Sequence, residues 1–189
     1  MSTETMVLGA ILTALVVILQ LMGAFIRFGP FSISLVLIPI VIGAATCGVG
    51  ISTWLGFVFG IAVLLSGDAA AFLVVNAPGT IITVLLKGMA AGFFAGLAYK
   101  GVLALCKNKY VAVISSAIVC PVVNTGIFLL GCVLFFMDTV AGWAAAAGLG
   151  GGVAHYMIFG LVGANFLIEL GSNIILSPVV VRLLNIKNK

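Results

Sequence analysis

Long apolar runs follow one another along almost the whole chain, broken by short clusters of glycine, proline, asparagine and charged residues. About 20 apolar residues are enough for a helix to cross a hydrocarbon core roughly 30 Å thick. On that measure the runs predict six helices, over residues 6–26, 34–47, 51–65, 79–100, 111–136 and 153–184. The second and third are short for full crossings and are divided by Cys47, Gly48, Val49 and Gly50, where glycine permits a tight reversal. The other breaks are Arg27, Gly29 and Pro30 after the first run, Gly67 to Gly79 after the third, Lys107 to Lys109 after the fourth, and Asp138 to Gly152 after the fifth. The expectation is an all-α integral membrane protein, a compact bundle of six transmembrane helices forming a single membrane domain over residues 1–189.

Composition points the same way. The 189-residue chain is 64% hydrophobic and 6% charged, with a mean hydropathy of +1.44, whereas soluble domains carry about 25% charged residues. It lacks the groups to cover a water-facing surface and belongs in a lipid bilayer. The net charge of +4 owes most to Lys100, Lys107 and Lys109 in one place and Arg182, Lys187 and Lys189 in another. Short cytoplasmic loops collect Lys and Arg, and with six crossings these two places fall on one side, so both termini are expected in the cytoplasm. The charge therefore reports topology and implies no nucleic-acid partner. Met1 to Thr5 lacks a basic leader, and no cleaved signal is expected. Cys47, Cys106, Cys120 and Cys132 show no CxxC pattern and no companion histidine spacing. They are expected to be small buried hydrophobes that form neither a disulfide nor a metal site.

Small residues four apart let helix backbones approach closely in lipid. Ala10 and Ala14 make such a pair on the first helix, Gly56 and Gly60 on the third, and Gly88, Gly92 and Gly96 a longer stripe on the fourth. Some of these must serve internal packing. The pairs on the first and third helices lie in the half with the fewest polar groups, which suits that half to docking against another protein.

Polar residues concentrate later. Asn76 precedes the fourth helix and Lys87 lies within it; Asn124 follows Pro121 in the fifth; His155 opens the sixth, which continues through Asn165, Glu169 and Asn173. The last three recur every four residues and so share one helical stripe, which must face protein or water because a lipid-facing charge is heavily penalised. Two readings stand for Lys87 and Glu169: a structural pair, or contacts to a ligand in an outward cavity. Two also stand for Phe135, Phe136, Trp143 and Tyr156: an interfacial belt, or a wall over that ligand. His155 reads as an interfacial histidine. There is no GxSxG elbow, HExxH, P-loop or close carboxylate pair. Binding rather than catalysis is expected, with no cofactor, and any ATP-driven transport needs a partner.

Several stretches carry a family resemblance: Phe31-Ser-Ile-Ser-Leu-Val-Leu-Ile-Pro-Ile-Val-Ile-Gly43-Ala, Gly56-Phe-Val-Phe-Gly60, Ser66-Gly-Asp68-Ala-Ala-Ala-Phe72, Leu86-Lys87-Gly88, Asn124-Thr-Gly-Ile-Phe128 and Asn165-Phe-Leu-Ile-Glu169. Together they resemble the substrate-specific S components of energy-coupling factor (ECF) transporters along nearly the whole chain. The glycine-proline pair common at the reversal between the second and third helices is here Cys47-Gly48-Val49-Gly50, a departure that bears on the subfamily. The resemblance implies a protein of the bacterial cell membrane that captures a vitamin or related micronutrient outside. It would then dock onto a membrane coupling subunit with two cytoplasmic ATPase subunits and topple within the bilayer to release its load.

It further implies a pocket toward the outer side, for which Asn76, Lys87, Asn124, His155, Asn165 and Glu169 are the candidates. Ala10 and Ala14 match the family's helix-one docking pair, and Gly56 and Gly60 join them as candidate interface residues. Pantothenate would give Lys87 a partner, while a flavin or pyrimidine would use the aromatic and Asn groups. A self-sufficient secondary transporter should show an internal repeat and interrupted helices, and no clear repeat is visible. A membrane assembly protein would account for the small-residue faces but not for the polar cluster.

Overall fold

The computed structural model describes residues 3–23, 27–28, 31–32, 35–148 and 151–187, with backbone only for residues 27–28, 31–32 and 186–187. The expected breaks at Gly29 and Pro30 and the terminal Lys189 lie outside the described residues. Helix α1 spans Thr3–Gly23; the two-residue strands β1 (Arg27–Phe28) and β2 (Phe31–Ser32) pair antiparallel, with Arg27 opposite Ser32. Then follow α2 (Leu37–Thr46), α3 (Val49–Ser66), the single turn α4 (Ala70–Leu73), α5 (Ala77–Cys106) and α6 (Lys109–Phe135). The chain continues through α7 (Met137–Ala147) and α8 (Gly152–His155). A π-helical stretch, Tyr156–Gly163, then leads without a break into α9 (Ala164–Lys187).

Five helices among the described residues are long and apolar enough to cross a membrane: α1, α3, α5, α6 and the continuous Gly152–Asn185 helix. The second expected crossing is only the ten-residue α2, about 15 Å at 1.5 Å per residue, half of a hydrocarbon core. Its neighbours nevertheless require the chain to return across the bundle there. Gly9 packs on Ile51, Thr13 accepts a 3.3 Å hydrogen bond from Trp54, and Gln20 donates to Ser66, so α1 and α3 run parallel. The segment between them must travel back from the Gly23 end to the Val49 end.

The remaining neighbours alternate. Gly96 lies against Val49 and Gly60 against Val84, making α5 antiparallel to α3; Gly131 faces Thr83 and Gly79 faces Phe135, reversing α6; Lys109 donates to Asn185 Oδ1 at 3.3 Å, reversing α9. The starts of α1, α3 and α6 and the ends of α5 and α9 therefore share one end of the bundle. Lys100, Lys107, Lys109 and Arg182 belong to that end, and both terminal helices reach it.

The shortness of α2 has a packing cause. It carries no charge, and it contacts α1, α3, α5, α6 and α9. Leu37, Ile40, Val41 and Ala44 are almost wholly buried, as expected of a helix apolar on every side. The reversal after it is tighter than a loop: Cys47 and Gly48 donate to the Gly43 carbonyl, and Gly48 takes φ 88°, a conformation glycine adopts without strain. Cys120 and Cys132 are buried as expected, Cys47 is partly buried, and Cys106 departs from the expectation by standing exposed at the end of α5.

The closest helix contact is between α3 and α5. A Cβ built on Gly56 would run into the Gly88 carbonyl oxygen, one on Gly88 into the Gly56 carbonyl oxygen, and one on Gly92 into the Ser52 carbonyl oxygen. Here the backbones touch directly, the use of small residues that lipid demands. Gly56 and Gly60 are thus committed inside the bundle, which corrects their assignment to a partner interface. Gly92→Val should lower stability by about 1–3 kcal/mol or more, the range for overpacking. Gly101→Val, where nothing lies within 4 Å, should be tolerated. Heating both variants in detergent and measuring the monodisperse fraction tests this, and equal stability would mean that the α3–α5 contact is not as close as described.

Candidate binding site

At the end of the bundle away from the lysines, α5, α6 and α9 part around a cavity of about 100 Å³. Each wall has a local cause. Asn76 caps α5, its Oδ1 accepting from the Gly79 amide at 2.9 Å, with Pro78 in the first turn, where no amide is needed. Thr80, Thr83, Val84 and Lys87 then face the cavity along α5, with Lys87 about 15 Å from the helix start at 1.5 Å per residue. Asn124, Thr125 and Phe128 come from α6, one turn beyond Pro121. Leu161 and Val162 come from the π-helical stretch, whose wider turn resets the phase of the helix before Asn165 and Glu169. Such π segments recur at functional sites.

One face of the cavity is aromatic. Phe72, from the α3–α5 connection, meets Phe136 edge-on at 5.0 Å, Trp143 at 5.3 Å and Phe128 at 5.6 Å between centroids. Of the aromatic residues expected as belt or wall, Phe136 and Trp143 join this cluster. Phe135 packs over Gly79 and is 39% exposed, in the manner of a belt residue.

The cavity is also lined by polar residues. Asn165 donates to Glu169 Oε1 at 3.3 Å, and Asn173 and Ser172 bond the Glu169 carbonyl at 2.9 and 3.0 Å. Glu169 is 2% exposed and Asn124 5%. Thr83 Oγ1, Asn124 Oδ1, Asn165 Oδ1 and Glu169 Oε2 are buried with no hydrogen-bond partner among the described residues. The Lys87 ammonium lies 5.3 Å from the Phe128 centroid and 5.6 Å from that of Phe59, distances at which a cation is drawn to a ring face. It makes no ion pair with Glu169 within contact distance, although both Glu169 and Asp68 attract it.

A family model described as ECF transporter, substrate-specific component, matches residues 4–181. The chain belongs to the substrate-specific components of ECF transporters. This S component is therefore a multi-pass membrane protein that binds a small-molecule substrate and partners an ECF membrane and ATPase module, and it is a transporter component rather than an enzyme. Neither a curated protein nor a solved structure matches it significantly.

Of the residues singled out in its sequence, Lys87, Asn124, Asn165 and Glu169 line one cavity. Asn76 does not: its side chain is occupied as the cap of α5. Nor does His155, exposed on α8 with its ring 4.7 Å from that of Phe159. Ala10 and Ala14 stand exposed on α1 in one row with Met6, Ile18 and Met22. Sequence reasoning missed Gln20, whose Nε2 donates to Asp68 Oδ2 at 2.6 Å beneath the Phe72 connection. The available signal was a lone Gln within the long apolar stretch that follows Thr13, and the structure buries it to 2% exposure.

Hydrogen bonds to charged groups contribute about 1.5–3 kcal/mol. Gln20→Ala should lower thermal stability by an amount in that range and speed hydrogen exchange in residues 67–75. Unchanged exchange there would show that this bond does not hold the Phe72 connection.

Proposed function

We propose that this S component captures a vitamin or related micronutrient from outside a bacterial cell in the cavity between α5, α6 and α9, acting as one membrane domain. The observation that carries the reading is a cavity at the end opposite the lysine-rich face, lined by aromatic residues and by four residues with buried polar atoms that no described residue satisfies. Buried polar groups are normally hydrogen-bonded, so a pocket holding several unsatisfied ones suits a polar ligand that completes them. Lys87, Asn124, Asn165 and Glu169 are its proposed contacts. The lysine-rich end is cytoplasmic by the positive-inside rule, with the chain passing six times and the short α2 returning it between α1 and α3.

The loaded protein docks through the Ala10 and Ala14 row of α1 onto a membrane coupling subunit served by two cytoplasmic ATPase subunits, and topples so that the cavity faces inward. The exposed small residues on α1 support close helix approach at that face.

Topology has a direct test. With Cys106 replaced by Ser to remove the exposed native thiol, Asp138→Cys should be labelled by an impermeant thiol reagent in intact cells, and Lys107→Cys should not; the reverse pattern overturns the orientation. Docking and binding separate by variant. Ala10→Trp or Ala14→Trp should block uptake and co-purification of the coupling module while the isolated protein still binds ligand. Lys87→Met and Asn124→Ala should instead weaken binding by about tenfold or more, worth 1.4 kcal/mol per decade, and leave the module associated. Loss of binding in the α1 variants would make that face structural, and unchanged affinity in the pocket variants would remove those residues from the site.

A further inference from the structure

We propose that the turn between α5 and α6 is a headgroup site for anionic phospholipid, with Lys107 at its tip, Lys100, Lys109 and Arg182 around it, and Leu105 and Tyr110 seated in the acyl boundary. The surface lies at the end of the bundle away from the cavity, so it does not depend on what the cavity holds.

The turn is short and, at all but one place, well made. Helix α5 ends at Cys106 and α6 begins at Lys109. The Lys107 amide donates to the Leu103 carbonyl at 3.0 Å, and Asn108 caps α6, its Oδ1 accepting from the Tyr110 amide at 2.9 Å and the Val111 amide at 3.4 Å. The exception is Lys107 itself. At φ 52° it is the one residue other than glycine with a left-handed backbone among those described. Glycine commonly fills such a position at a helix end, because a Cβ is strained there. A lysine elsewhere in the turn would serve membrane topology equally well, so topology does not account for one at the place where a side chain costs conformational energy. Strain held at a surface turn points to what the side chain reaches.

Within the protein it reaches nothing. Lys107 is exposed, and among the described residues its ammonium makes no hydrogen bond or ion pair. Lys100 stands about two turns earlier on α5. Lys109 donates to Asn185 Oδ1 at 3.3 Å, which brings the last turns of α9, with Arg182, to the same place. Of the four acidic residues in the chain only Glu4 belongs to this end; Asp68 and Glu169 line the cavity and Asp138 opens α7. Four cations against one carboxylate complement an anionic headgroup layer. Leu105 and Tyr110, 84% and 52% exposed, flank the lysines. In a bilayer they enter the acyl boundary and hold the ammonium groups among the phosphates. An acidic protein surface would meet the cations but leave this leucine and tyrosine without an apolar partner.

The test uses the purified full chain in nanodiscs of phosphatidylcholine alone and of an equal mixture with phosphatidylglycerol, read by thermal unfolding and by native mass spectrometry of retained lipid. The wild type should melt higher in the mixture, lose that gain at high salt, and retain phosphatidylglycerol over phosphatidylcholine by about tenfold or more. Lys107→Gln keeps the strain and removes the charge, and should lower that preference by about fivefold, the worth of one cation at an anionic surface. Lys107→Gly also relieves the strain, so it should melt higher than the wild type in phosphatidylcholine alone and lose the same preference in the mixture. Equal preference in the wild type and both variants overturns the proposal, as does a Lys107→Gly protein no more stable than the wild type in phosphatidylcholine. A gain that inorganic phosphate reproduces in phosphatidylcholine discs overturns the lipid source. Loss of the co-purifying coupling module in Lys107→Gln, with lipid preference unchanged, assigns the turn to a protein partner and overturns it too.

Discussion

The contact on which the bundle depends is the direct meeting of α3 and α5 backbones through Gly56, Gly88 and Gly92. In water two apolar helices are driven together by burying surface; in lipid that drive is absent, and close packing must supply the attraction. Removing three Cβ atoms from the seam brings carbonyl and α-carbon surfaces into contact along most of α3. That seam positions the start of α5, and with it the Thr80–Lys87 wall of the cavity. It also leaves α1 on the far side of α3, where the Ala10 and Ala14 row remains free of the bundle's own helices.

Against that apolar frame the polar cluster is costly and therefore informative. Glu169, Asn165, Asn173 and Ser177 form a buried ladder along α9, partly satisfied by side-chain-to-backbone bonds one turn away. Those local bonds answer the needs of Asn173 and Ser177 in part. They do not answer the buried side-chain oxygens Asn124 Oδ1, Asn165 Oδ1 and Glu169 Oε2. Stability alone would favour apolar residues at these positions, since a buried ionic group is often replaceable by hydrophobic packing without loss. Their presence around a cavity, rather than at a sealed helix contact, fits a role in recognition.

The Gln20–Asp68 bond ties this site to α1. Gln20 lies on the buried side of the helix whose opposite side carries Ala10 and Ala14, and Asp68 opens the connection that places Phe72 over the cavity. The exposed Ala10 and Ala14 row and the Phe72 cluster are therefore joined by one short path: a helix, a hydrogen bond and a four-residue turn.

Much of this was legible in the chain itself, for a physical reason. Lipid permits few spanning structures and penalises every charge, so apolar runs, their breaks and the clustering of lysines determined the helical class, the approximate spans and the shared end of the two termini. The four-residue spacing of Asn165 and Glu169 placed them on one stripe, because helix geometry is local. Partners across space were beyond it. Gly56-x-x-x-Gly60 and Ala10-x-x-x-Ala14 read alike, and only the packing of α5 against α3 decided that the first is internal while the second is exposed. Asn76 and Asn124 are the same residue type near helices, yet one caps a helix and the other faces a cavity. Lys87 and Glu169 were within plausible reach of each other, and the tertiary structure set the ammonium between two rings instead of in contact with the carboxylate. Period and composition act along one helix; which face meets which neighbour is a property of the assembled bundle.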